Sequence, residues 1–195
     1  MNRPRYDAVA IGFHWVVAAL VLAQLALGWW MIELPKSPAG LRAGWFNVHK
    51  SIGITIGLLM LARLGWRARH PAPPLPASLP RWQALAARAN HAALYACLIV
   101  MPLSGYLGSV FSGYPIKYFG VVLPHWGWAS PALKELFSIL HFGTVWLLMA
   151  LIALHIGAAL KHLLVNRDGV VARMWPRASP SSPVMFPASP RDPVG

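Results

Sequence analysis

The sequence predicts an all-α fold, a transmembrane four-helix bundle running up-down-up-down, and three observations predict it. Of 195 residues, 57% are hydrophobic and only 11% charged, whereas a soluble domain carries about 25% charged residues. Four apolar runs are each long enough to cross a hydrocarbon layer about 30 Å thick, which takes about 20 helical residues. The seventeen Lys and Arg lie mostly in the short segments flanking those runs. The formal charge of +12 therefore reads as a positive-inside bias and not as a nucleic-acid surface. One membrane domain is expected over residues 1–177, followed by a Pro- and Ser-rich tail, 178–195, expected to be disordered on the cytoplasmic side.

The first span is predicted over 8–32. A secretory signal would have a shorter apolar region and a small-residue cleavage site. This run instead contains His14 and Gln24 and closes on Trp29 and Trp30, which suit a membrane interface. Pro35, Pro38 and Gly40 then make a loop.

The second span is predicted over 46–66, with His49 one turn inside its start and Gly53 and Gly57 following on the same face. Those glycines either let helices pack closely or leave room for a flat cofactor beside His49. Arg63, Arg67, Arg69 and His70 lead into PAPPLPASLP, a rigid extended connector.

The third span is predicted over 89–111, kinked at Pro102 and Gly105. His91 falls in its first turn, near the membrane surface, where a histidine is cheap and therefore a weaker ligand candidate. The lone Cys97 reads as a small core residue. Residues 112–134 form the longest loop, rich in aromatics (Tyr114, Tyr118, Phe119, Trp126, Trp128), and are expected to cap the outer end of the bundle along the interface.

The fourth span, 136–164, carries His141 and His155. Fourteen helical steps bring the second ring to within about 40° of the first and roughly 21 Å further along the axis. One helix thus offers two imidazoles on one face at two depths.

Four spans place both termini and the 63–88 connector on one side. That side holds twelve of the seventeen basic residues, against Lys36, Arg42, Lys50, Lys117 and Lys134 on the other, so the termini are expected in the cytoplasm. Depth then pairs the histidines: His14 with His155 near the inner surface, His49 with His141 near the outer one. Two height-matched pairs point to axial ligation of two stacked haem irons. Zinc or di-iron sites want more ligands at one locus, and the acids here lie at span ends, in loops or in the tail. The chain has no Cys-x-x-Cys-His attachment motif, so both haems would be noncovalent b-type.

The segments IGFHW, NVHKSIG, SGYPIKYFG and HFGTVWLLMALIALHIGAALKHLLVNRDGVVARMWP resemble the bacterial cytochrome b561 family, related in its haem core to the cytochrome b subunits of formate dehydrogenase and nickel-iron hydrogenase. The resemblance spans nearly the whole chain short of the tail. It implies a bacterial inner-membrane protein in which the first, second and fourth helices ligate two haem b, at His14, His49, His141 and His155. It also implies electron transfer between a periplasmic donor and the quinone pool, since some members resemble a superoxide oxidase that reduces ubiquinone and others serve dehydrogenase partners. On that reading superoxide would meet the outer face near Lys117, the candidate catalytic residue, with Lys50, His125 and Trp126 nearby. Only Glu33 and Glu135 supply acids on that face. Arg63 and His162 are candidate contacts for quinone or haem propionates, or plain interfacial residues that snorkel. The competing classes are a haem subunit carrying electrons for a periplasmic redox partner, and a transporter with histidine proton relays.

Overall fold

The computed structural model describes residues 5–36, 40–75 and 79–176. Arg3, Pro38, Arg177 and the tail expected to be disordered lie outside the described residues. Four long helices follow one another: α1 (Ala8–Glu33), α2 (Leu41–Arg69), α3 (Arg81–Val110) and α4 (Pro131–Leu160). All four are long and apolar enough to cross a membrane. Side chains such as Leu22, Leu58, Leu61, Ile139 and Leu154 point outward and stay exposed, as a lipid-facing surface requires.

The helices outrun the apolar windows that predicted them. α2 begins at Leu41 instead of 46, α3 at Arg81 instead of 89, and α4 at Pro131 instead of 136. Hydropathy ends where charge begins, but backbone hydrogen bonding continues through ArgTrpGlnAlaLeu at the start of α3, whose residues are good helix formers. At α1 the Asp7 carboxylate accepts from the Ala10 N–H at 2.8 Å, and at α4 Ser130 caps the helix ahead of Pro131. α3 runs through Pro102 as one helix.

The outer connector is more ordered than an aromatic loop. Lys117–Tyr118 (β1) and Val121–Val122 (β2) pair antiparallel around Phe119 and Gly120. Both turn residues have positive φ, 46° and 92°, the geometry of a tight hairpin turn. Glycine accepts this freely, whereas Phe119 does not.

The close helix pairs are α1 with α2, α2 with α3, and α3 with α4, while α1 and α4 are not a closely packed pair. Val17, Val21, Ile56, Met60, Cys97, Leu98 and Leu148 form the central core. A second cluster, Val110, Phe111 and Ile116, seals the hairpin end. Beyond α4 a π-helical turn, Lys161–Asn166, leads into a short 3₁₀ segment, Val171–Arg173, that folds back across the terminal end.

Candidate haem sites and relatives

Each predicted histidine pair meets across the bundle. His14 of α1 and His155 of α4 have ring centres 6.1 Å apart, inclined at 62°. His49 of α2 and His141 of α4 have ring centres 6.4 Å apart, inclined at 73°. A metal held between two opposed imidazoles, with bonds of about 2 Å to each nitrogen, separates the ring centres by roughly 6 Å. The central core lies between the two levels.

Three further features fit a flat, axially held group. Neither α1 and α4, which carry the first pair, nor α2 and α4, which carry the second, are closely packed helix pairs. The His141 Nδ1–H donates to the Met101 carbonyl at 3.0 Å, with Ser104 Oγ at 3.2 Å. That bond fixes the tautomer and leaves the Nε2 lone pair for a metal. Finally, glycines line two of the rings: a Cβ on Gly28 would lie 3.4 Å from His49 Cε1, and one on Gly105 would lie 3.1 Å from His141 Cε1. Gly53 and Gly57 do other work. Gly57 abuts Pro102 and Gly53 faces Gln24, so the close-packing alternative is the one their neighbours favour. Among the described residues no three or more His, Cys, Asp or Glu form a group able to hold a metal ion.

His91 is nearer the chemistry than its position in the sequence suggests, its ring 5.3 Å from that of His155. Arg63 lies over the Tyr95 ring at 5.2 Å and acts electrostatically on His14, His91 and His155. His162 sits in the π-helical turn, where its Nδ1 pairs with Asp168 at 2.6 Å. A cleft of about 220 Å³ opens beside it, lined also by Leu163, Arg167 and Gly169. Asp168 has its carboxyl below the ordinary range: burial would raise it, but hydrogen bonds from the Val170 N–H and from His162 outweigh that.

At the hairpin end, the buried Ser51 anchors the loop to α2. Its Oγ accepts from the Phe119 N–H at 2.9 Å and lies 3.3 Å from the Lys117 carbonyl. Tyr118 adds a hydroxyl contact to Thr55 at 3.2 Å. The Lys117 backbone is thereby held at Ser51, two residues along α2 from His49. Trp126, exposed, donates to the Tyr106 hydroxyl at 3.0 Å. Ser51, Met101, Gly28 and Gly105 were not readable as site residues, because their roles depend on which helices are neighbours. Gly105, expected at a kink, also leaves room for the His141 ring.

A four-helix membrane bundle with opposed imidazoles at two depths defines a class: membrane electron-transfer proteins of the cytochrome b type. A family model described as prokaryotic cytochrome b561 matches residues 5–177. The chain belongs to the prokaryotic cytochrome b561 family, for which b-type haem is the implied cofactor. It is 37% identical over 185 residues to cytochrome b561 homolog 2 of Escherichia coli (strain K12), covering 91% of this chain and 95% of that one. It is 31% identical to the probable superoxide oxidase CybB of Yersinia pestis, covering 89% and 97%. It is 28% identical to cytochrome b561 homolog 1 of Escherichia coli (strain K12), covering 89% and 98%.

Proposed function

We propose that this protein binds two haem b, one between His14 and His155 and one between His49 and His141, and carries electrons across a bacterial inner membrane. The observation that carries the reading is the pair of ring-centre spacings, 6.1 and 6.4 Å, one at each end of the core. Bound haem supplies one-electron redox chemistry; the chain supplies height, orientation and access. His141 presents Nε2 because Met101 holds its other nitrogen.

The terminal end faces the cytoplasm and the hairpin end the periplasm, on the charge bias. The domain responsible is residues 1–177. The proposed donor is superoxide, supported by the likeness to a probable superoxide oxidase, and the acceptor is ubiquinone of the quinone pool. Lys117, its backbone carbonyl 3.3 Å from Oγ of Ser51, the residue after Lys50, draws a small anion to the hairpin end, where steering raises on-rates by about 10 to 1000 fold. Arg63 is the residue best placed to meet a propionate at the terminal-end pair. His162, with Asp168 behind its ring, meets quinone at the adjoining cleft.

The test is haem reduction by a superoxide pulse at two ionic strengths. Wild type should reduce quickly and slow with added salt, and Lys117→Glu should be slow at both. If superoxide leaves the haems oxidised while a periplasmic dehydrogenase reduces them, the protein is an electron-carrier subunit. That second reading asks of the chain only what its family gives, electron transfer by a membrane cytochrome.

A further inference from the structure

Apart from His14, Gln24 is the one strongly polar side chain within the interior of α1. It lies ten residues beyond His14, about 15 Å along the axis, at a depth where a polar side chain is costly and needs a partner. Its Nε2 donates to the backbone carbonyl of His49 at 2.6 Å. The other end of the same carboxamide, Oε1, is buried without a partner, and so is Nδ1 of His49. The contrast with His141 is direct, because there Nδ1 has the Met101 carbonyl at 3.0 Å.

The orphaned atoms are complementary. Once His49 offers Nε2 to a metal, its Nδ1 carries a proton and must donate, while the Gln24 Oε1 can only accept. Gly28, one turn along α1 from Gln24, faces this ring: a Cβ there would touch His49 Cε1 at 3.4 Å and Nδ1 at 3.9 Å. Gly53 of α2 packs against the carboxamide itself, its Cβ position 3.6 Å from Gln24 Nε2.

We propose that Gln24 is the positioning residue for His49, holding the ligand's backbone with Nε2 and accepting its Nδ1 proton with Oε1, directly or through one bound water. A water there would have the polar partners that buried waters need. The proposal rests on His49 being a haem ligand. Gln24 plays for His49 the part that Met101 plays for His141, from a side chain on a neighbouring helix. A ligand imidazole whose second nitrogen donates is the more basic ligand and favours the oxidised iron. Removing the acceptor therefore raises the potential of the hairpin-end haem alone.

The experiment is a redox titration of the purified, haem-loaded full chain, with electron paramagnetic resonance of the oxidised form. His141→Ala and His155→Ala variants assign the two centres. Gln24→Met, of similar length without polar atoms, should keep two haems per chain, shift the hairpin-end midpoint upward, change that centre's resonance, and leave the other centre alone. Leu20→Ala, which loosens packing on the same helix, should move neither. If Gln24→Met does not accumulate, Gln24→Asn is read the same way, its shorter carboxamide giving a smaller upward shift at the same centre. Two haems with unchanged potentials and resonances in these variants would reduce Gln24 to a helix-packing residue. A wild type without haem at the hairpin end would instead overturn the ligand assignment itself, whatever Gln24 does.

Discussion

Gly105 shows how much a proposed haem site can depend on an absent side chain. In an exposed helix interior Gly→Ala gains about 1 kcal/mol of helix propensity, but here the new methyl would press within 3.1 Å of His141 Cε1 and 3.2 Å of its Nδ1. The ring must yield by a few tenths of an ångström and strain its bond to the Met101 carbonyl. Gly105→Ala is therefore predicted to retain both haems while altering the spectrum of the hairpin-end one, and Gly105→Leu to lose that haem and keep the other. Haem quantitation and low-temperature spectra of the two variants check this. At this scale the four candidate histidines, whose rings meet in pairs, stood out because a membrane interior makes any polar residue conspicuous. Gly28, Gly105 and the Met101 carbonyl were not, because glycines and backbone groups announce nothing until a neighbouring helix is brought against them.

Among the elements, the terminal end is closed by a latch of backbone and side-chain bonds. The Arg5 guanidinium donates to the Trp175 carbonyl at 2.8 Å, the Trp15 indole to the Met174 carbonyl at 2.8 Å, and the buried Arg173 to the Pro74 carbonyl at 2.9 Å. Asp7 joins the latch to α1 and α2, accepting from Ala10 and from the Trp66 indole at 3.1 Å. Its carboxyl is held below the ordinary range: burial alone would raise it, but those hydrogen bonds outweigh the penalty. A depressed carboxyl stabilises the fold above its unfolded value, and that stability is lost as pH falls through the folded value. The same sign holds for Asp168. The latch is thus predicted to loosen below about pH 4. Asp7→Ala should cost about 0.5–2 kcal/mol at neutral pH, the usual value of an N-cap, and should flatten the acid limb. Thermal melts of both proteins in detergent across that range measure it. The four spans were legible from hydropathy alone, whereas the latch and the β-hairpin were not. Both are made of polar and aromatic residues with no repeating period, and two-residue strands leave too short a pattern to read.

For the whole molecule, the bundle joins two imidazole pairs through one continuous apolar core, and the charge bias sets which pair faces which compartment. Twelve basic residues against five predict a cytoplasmic terminal end. A reporter fused after Arg177 should be active only in the cytoplasm, and one inserted at Gly120 only in the periplasm. Opposite activities would exchange the inner and outer assignments. The pairing of His14 with His155 and of His49 with His141 was legible from depth, because a straight helix converts sequence distance into height. Which helix sides stay open was not, since it depends on packing among all four.

Ligation of two haems by the two histidine pairs is tested by a reduced-minus-oxidised spectrum of the purified full chain with haem quantified per polypeptide, repeated for His141→Ala. Two noncovalent haem b are expected in the wild type and one in the variant, the survivor being held by His14 and His155. A wild type with no haem, or a His141→Ala variant that still holds two low-spin haems, would contradict it.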